Sequence, residues 1–421
     1  CTGTGNTAVG FQAGDGITSG SYNVGVGFNT LSSAVTADGN TAVGNSACVS
    51  LTGGTKNVAI GQSALTTATT ADNNVAIGSD AMDLVTTGSN SVAVGFQAMF
   101  NTTTPDDNVA VGHNALFNNT TGALNTAVGK SALENNTTAS SNQAFGRRAL
   151  YLNTTGTENS GLGYLALDAN TTGSYNTAVG VNALGANTTA DNNTSVGVGS
   201  LIANTTGYGQ TALGERAGED ATTGAANVFV GNESGEDLTT GIGNVFVGYQ
   251  TESFGANSNY QIVLGFDTKS VGDATTFTFG RGTGNNRVHN NFDSNASFTR
   301  VSDVRYKDEI QDNTDCGLAF INDLRPVTFK WRAKADIDSS LPDYDADATE
   351  RTHDAKLYGL IAQEVKESLD KHNITDFGGW FQGEEDGIQG VSQEMFVHPL
   401  IKAVQELSAK VDDLENKLNG E

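Results

Sequence analysis

From Asn6 onward, a short apolar pair flanked by polar residues, Asn-Thr-Ala-Val-Gly, returns along the chain with small changes. Its last glycine falls at Gly10, Gly27, Gly44 and so on to Gly265, sixteen glycines at a spacing of 17 residues without a slip. A fixed period of this size marks a stacked-repeat architecture. The position before the glycine is apolar throughout, as in Val9, Val26, Ile60 and Leu264. Two before it is mostly Ala; four before it is Asn in thirteen of the sixteen, the exceptions being Ser91, Gln210 and Gln261. Three after it is usually Ala, and four after it Leu or Met, as in Met82, Leu116 and Leu133. Paired threonines follow at eight and nine, unbroken from Thr69-Thr70 to Thr239-Thr240.

Val58-Ala59-Ile60 reads as a strand with two β-branched side chains on one face and a small one on the other. Glycine and Asn at fixed offsets supply turns. Seventeen residues are too few for a strand plus a helix, and the pattern predicts two short strands and two turns per coil of a parallel β-solenoid or β-roll. Like residues then stack about 4.8 Å apart, with Val in the core, Asn and Thr in ladders whose side chains bond along the axis, and a smooth Ala column for close approach of another chain. Adjacent strand residues point to opposite faces, so Thr-Thr gives one outward row. Each coil buries few large side chains against ~1 kcal/mol or more of backbone entropy per residue, and a parallel homotrimer with a partly shared core is expected.

The pattern divides the chain into a repeat region at 1–269, a β-rich connector at 270–301 and a last domain at 302–421. In the connector Thr276-Phe277-Thr278-Phe279 alternates as a strand; glycines at 280, 282 and 284 break it, and short strands follow around Asn290-Asn291 and Phe298-Thr299. The last domain reads as mixed α/β: a short helix at 317–324, a strand at 327–331, a strand at 357–363 with a helix from Glu364, and a closing helix at 397–418. On that helix Leu400, Val404, Leu407, Val411, Leu414 and Leu418 alternate steps of four and three, a heptad seam. A three-helix bundle on a trimer axis is expected; the simpler alternative is an amphipathic helix lying on its own domain.

Composition sharpens this picture. Glycine is abundant (52 residues) and only 16% of residues are charged, which in a chain without register would suggest disorder. The net charge of −25 speaks against a nucleic-acid partner. Residues 1–301 carry 9 basic and 21 acidic residues, residues 302–421 carry 13 and 26, consistent with a boundary near 300. No apolar run approaches the ~18 residues of a membrane span. Cys1, Cys48 and Cys316 lack metal or redox spacing, and Cys48 occupies the column of Leu65 and Met82, a core position. No cofactor or metal site is expected: the acidic loop 336–350 lacks EF-hand order, and His113, His289, His353, His372 and His398 are scattered.

The repeats resemble the β-roll heads of trimeric autotransporter adhesins, which carry similar Asn-Ser/Thr-Val-Ala-Ile-Gly and Ala-Leu columns. The last 120 residues are more specific. Ser302-Asp303-Val304-Arg305-Tyr306-Lys307 precedes Leu324-Arg325-Pro326-Val327, Phe329-Lys330-Trp331, Gly359-Leu360-Ile361-Ala362-Gln363-Glu364-Val365 and Ile401-Lys402-Ala403-Val404-Gln405-Glu406-Leu407. In this order they resemble the endosialidase-type intramolecular chaperone, the self-cleaving S74 peptidase domain at the end of phage tail fibres and tailspikes. The resemblance implies a domain that trimerises the chain, guides folding of the β-rich part and then cuts itself off between Val301 and Ser302, with Ser302 as nucleophile and Lys307 as base. The chemistry is self-consistent: a serine needs a base to attack, and a desolvated lysine is neutral near pH 7. Asp303 either orients the site or caps a turn.

The expected protein is therefore a virion tail fibre that contacts a host-surface receptor. Shallow Asn/Thr faces suit a carbohydrate and equally suit a passive spacer. The chain opens on Cys1 already inside a repeat, which implies an upstream part joining it to the rest of the phage tail. The chaperone domain would be released after maturation in the host cytoplasm. Two alternatives stand beside this reading. A polysaccharide-depolymerising tailspike needs paired carboxylates about 5–10 Å apart, and the regular repeats offer no recurring pair. A bacterial trimeric surface adhesin normally ends in a membrane barrel, whereas this chain ends in an acidic helix.

Overall fold

A computed structural model describes residues 2–104, 106–272, 274–283, 286–291, 299–300, 308, 310–339, 341, 344–351, 356–383 and 387–420. The chain divides into two units, Cys1–Tyr306 and Lys307–Glu421. The first is a β-solenoid. Each repeat contributes one strand, ending on the residue before its glycine from β1 (Thr7–Val9) to β15 (Val245–Val247) and running through the glycine in β16 (Ile262–Phe266). Neighbouring strands pair in parallel and in strict register, Val58 on Val75, Ala59 on Ala76, Ile60 on Ile77.

The coil holds one short strand where two were expected. The rest of the coil turns, because three residues in most coils adopt left-handed backbone angles; in one coil these are Asp107 (φ 58°), Asn114 (φ 57°) and Leu116 (φ 52°). A left-handed Leu costs about 1–2 kcal/mol. Leu116 is fully buried, and burying such a side chain returns about 1.5–3 kcal/mol. Beyond the turn the backbone still ladders, with the amide of Thr120 donating to the carbonyl of Thr137 at 2.8 Å.

The two faces of the strand are the reverse of the expectation. Ala42, Ala59, Ala76, Ala93 and Ala110 are completely buried, while Ile60 is 40% exposed and Val9 57%. Volume decides this. The buried Ala and Leu three and four residues after each glycine already fill the narrow interior, as Ala115 and Leu116 do, so the strand can offer it only a small side chain. Where the strand offers a large one, the opposite column empties. Phe229 and Phe246 replace Ala, stack with centroids 5.7 Å apart, and lie beside Gly218 and Gly235 in the Leu column; an added Cβ on Gly218 would come within 2.7 Å of Phe229. Cys48 sits buried in the same column, its thiol pushed up to about 12 by burial.

Polar ladders close the coils. The amide of Asn142 donates to Oδ1 of Asn125 at 3.0 Å, and its Nδ2 to the carbonyl of Gly156 at 2.9 Å. The exceptions keep the chain of bonds: Asn108 donates its amide to Ser91 Oγ (3.1 Å), and Gln210 donates its own to Asn193 Oδ1 (2.9 Å). A second asparagine ladder runs beside it. Asn136 Nδ2 donates to Asn119 Oδ1 at 2.8 Å, and Asn153 continues it to Asn136 at 2.9 Å. These are the asparagines of the Asn-Thr-Thr triplets, fully buried. Of each threonine pair the first donates to the next coil, as Thr120 Oγ1 does to the Thr137 carbonyl at 2.9 Å, and the second faces outward, as Thr121 does.

The glycine column is fixed by contact. Gly129 has φ 132°, and a Cβ there would lie 2.6 Å from the carbonyl oxygen of Gly146 in the next coil. Gly129→Ala is expected to cost about 1–3 kcal/mol in backbone strain alone and to lower the solenoid's melting temperature. Gly53→Ala, where the nearest atom is Thr36 Oγ1 at 3.5 Å, serves as the neutral control; equal melting of the two variants would contradict the packing described here.

The period does not end at Gly265. β17 (Thr276–Arg281) pairs in parallel with β16 and sets Gly280 on Gly265, so one further rung is built from a coil shortened to 15 residues. Gly280 is thus part of the ladder and not a breaker. β18 (Arg287–Asn291) and β19 (Thr299–Arg300) then turn antiparallel.

Candidate functional site

Val301, Ser302, Asp303 and Lys307, the expected cleavage site with its expected nucleophile, supporting carboxylate and base, lie outside the described residues. What the structure describes is the body of the second unit that follows them. Helix α1 (Leu318–Asp323) leads into β20 (Val327–Phe329), which pairs antiparallel with β21 (Leu357–Gly359). Helix α2 (Ala362–Lys371) follows, starting two residues before the expected Glu364. A hairpin of β22 (Trp380–Gln382) and β23 (Gln389–Val391), absent from the sequence reading, precedes the closing helix α3 (Val397–Asn419).

These elements draw the separated sequence motifs together. Pairing of β20 with β21 places Arg325 against Glu364. The guanidinium forks onto the carboxylate, Nε lying 3.0 Å from Oε2 and Nη2 bonding Oε1. The core beneath is aromatic: Phe320 stacks on Phe396 at 6.3 Å and meets Phe377 edge-on at 5.8 Å, with Cys316, Val365 and Leu369 around them. Glu406 of α3 reaches the start of α1, where the Leu318 amide donates to its Oε2 at 2.8 Å. A carboxylate at a helix N-terminus satisfies an orphan donor. Gly317 leaves the room, because a Cβ there would collide with Glu406. In the sequence Arg325, Glu364 and Glu406 stand only as letters of separated motifs; opposite charge is a signal for the Arg325–Glu364 pair, whereas Glu406 meets a backbone amide that no sequence pattern marks.

Phe329, Trp331, Ile361, Gln363, Val391 and Gln393 line a groove of about 550 Å³. Trp331 meets Phe329 edge-on at 5.4 Å and stays 61% exposed. On α3 only Pro399 and Ala403 are buried. Leu400, Val404, Leu407, Val411, Leu414 and Leu418 are all exposed, from 44% at Val411 to 87% at Leu418. Their apolar face is thus left unused by the helix's own unit, and Val397, Leu400, Ile401 and Val404 frame an open hollow of about 360 Å³ on it. Among the described residues no group of three His, Cys, Asp or Glu could hold a metal, and no helix is long and apolar enough to cross a membrane.

The perturbed carboxylates shift in opposite directions in the two units. Hydrogen bonds from Lys371 and His372 hold Asp323 below the usual carboxylate range, and Arg325 does the same to Glu364. Asp220 and Glu236 of the solenoid are raised, first by burial and then by neighbours such as Glu219 and Asp237 for the former and Glu233 and Glu252 for the latter. A lowered folded value gives stability that is present above the unfolded value, about pH 4, and lost as pH falls through the folded one; a raised value gives stability present below about pH 4 and lost as pH rises through it. Acidification is expected to loosen the second unit while favouring the solenoid. Both tryptophans, Trp331 and Trp380, lie in the second unit, so urea unfolding followed by tryptophan fluorescence reads that unit and circular dichroism the β-rich one. Asp220→Asn with Glu236→Gln should flatten only the second signal, and midpoints moving together would contradict the assignment.

Residues 302–374 match the family model described as chaperone of endosialidase, Peptidase_S74. No curated protein and no solved structure matches the chain.

Proposed function

We propose that this tail-fibre-like chain, a β-solenoid followed by a chaperone-of-endosialidase domain, is a phage host-attachment fibre whose last domain aligns three copies, guides their folding and then releases itself. One observation carries the reading: the family match begins at Ser302, the residue at which the proposed cut falls. In the cut, Ser302 Oγ attacks the carbonyl carbon of Val301 as neutral Lys307 takes its proton. The tetrahedral intermediate collapses by breaking the Val301–Ser302 C–N bond, and the departing amine takes up a proton. Water then opens the resulting ester, leaving Val301 with a carboxylate and Ser302 with a free amine.

Trimerisation is supported by two apolar surfaces. One is the seam on α3. The other is the outward face of the solenoid strands, where Val, Ile, Leu and Phe recur on every coil, among them Ile60, Ile77, Val111, Phe145, Leu162 and Leu213. A continuous stripe of this kind is unusual on a surface that stays wet, and a parallel copy repeats at the same spacing along its whole length. The Ala column, buried inside its own chain, is not that face. Mass spectrometry of the expressed chain under native and denaturing conditions tests the reading: fragments of residues 1–301 and 302–421 together with a trimeric solenoid support it, and an intact monomer contradicts it.

A further inference from the structure

The column directly after the ladder glycine holds mostly neutral side chains, yet over five successive coils it reads Phe96, His113, Lys130, Arg147 and Tyr164. All five are exposed. Rings stand at both ends: Phe96 and His113 have centroids 5.2 Å apart, and the Arg147 guanidinium lies 5.6 Å over Tyr164. Beside them on the turn, Arg148 lies 4.3 Å over Tyr151 and 3.3 Å from Asp168. Residues 1–270 contain only six basic residues, Lys56, Lys130, Arg147, Arg148, Arg216 and Lys269, so half of them fall in two neighbouring coils.

Two of the remaining cations are neutralised. Arg216 pairs with Glu219 and Glu233, and Lys269 with Asp237 (2.7 Å) and Glu252 (2.8 Å). Lys130 and Arg147 form no ion pair among the described residues, although they occupy adjacent rungs of a parallel ladder about 4.8 Å apart. Like charges so placed are destabilising, and the coil gains nothing from them that Asn or Ser in the same column does not supply.

We propose that this five-rung strip binds a carboxylate-bearing polysaccharide laid along the solenoid axis, its acid groups on Lys130 and Arg147 and its sugar rings against Phe96, Tyr164 and Tyr151. The inference rests on the host-attachment reading and names its receptor class. An extended anionic chain matches the axial run of cations. Flanking rings suit the apolar faces of sugars, which stack on aromatic side chains as other flat apolar groups do. A nucleic acid is disfavoured by its charge density: a duplex carries one negative charge per ~1.7 Å of its axis, more than three cations on two coils can match, whereas an acidic polysaccharide carries its carboxylates one sugar apart.

The test uses the full chain with oligogalacturonate and polysialic acid as probes and dextran as the neutral control. The wild-type chain is expected to bind at least one acidic probe, more weakly as salt rises, and not dextran. Lys130→Gln with Arg147→Gln should weaken that binding by about tenfold or more, Phe96→Ala with Tyr164→Ala should weaken it as well, and native size should stay unchanged. Binding of neither acidic probe, equal binding by the charge variant, or equal binding of dextran overturns the proposal. So does loss of assembly in the charge variant, which would show that Lys130 and Arg147 meet carboxylates of a second copy. Adsorption to bacterial cells separates the two levels. Cells bound equally by wild type and variant leave host attachment standing without this strip; probe binding without cell adsorption does the reverse.

Discussion

Replacing Ser302 with Ala is expected to leave one uncut chain on a denaturing gel, with self-cleavage slowed by about a thousandfold or more, the usual scale for removing a nucleophile. Without Oγ no atom remains to open the Val301 carbonyl from within. Lys307→Ala should arrest the same step by removing the base. Lys307→Arg should arrest it too, since a guanidinium stays protonated and cannot accept the serine proton. Cleavage by the wild-type chain should speed up as pH rises toward the lysine's own titration, because only the neutral amine acts. Mass spectrometry distinguishes the outcomes: complete cutting by Ser302→Ala at Val301 would remove the proposed chemistry, and complete cutting by Lys307→Ala would remove lysine from it. Assembly of the uncut Ser302→Ala trimer should be normal, which separates the chaperone role from the peptidase role.

The second large effect is expected on assembly. Val404→Asp with Leu407→Asp places six carboxylates on the seam of a trimer. Burying an apolar side chain of this size contributes about 1.5–3 kcal/mol, so the six lost contacts remove roughly 9 kcal/mol or more before the cost of the buried charges. Trimers should give way to monomers by analytical ultracentrifugation. Both side chains are exposed within their own unit, at 64% and 50%, so that unit should keep its fold and its tryptophan signal. A variant that remained fully trimeric would show that α3 has another task. Sixteen near-identical coils offer many registers of similar energy, and loss of the seam should also leave solenoids that aggregate or pair out of step.

The sequence made the coil legible because its period, its glycine and its Asn column all answer local constraints that recur unchanged. The strand at Val58–Ile60 and the single outward threonine row follow from alternation alone. Which face of the strand points inward does not, since alternation distinguishes two faces without saying which is buried. That choice depends on how much room Leu65 and its neighbours leave across the coil. The hint was present in two places, where Phe229 and Phe246 coincide with Gly218 and Gly235 in the opposite column, an exchange of large for small that has a reason only if both columns share one interior. The rung at Gly280 was hidden because its coil is two residues shorter, which breaks the period while preserving the contact. In the second unit, helices α1 and α3 were readable from apolar spacing. The roles of Arg325, Glu364 and Glu406 depend on partners 39 and 88 residues away. Ser302 and Lys307 came from resemblance alone, because serine and lysine five residues apart carry little meaning without it.

The glycine column described above makes the solenoid a ruler. Each coil meets its neighbours through the same close backbone approach, and repeat arrays of this kind are held by contacts between adjacent units. Adding or removing one whole 17-residue coil among the regular ones would change the reach of the arm by a single step of about 4.8 Å and leave every other coil as it was. The pair of phenylalanine coils resists such a step, since a cut between Gly218 and Phe229 would set an aromatic ring beneath a leucine. Chains built on this plan can therefore change the length of the solenoid in fixed increments, while the phenylalanine pair stays as it is.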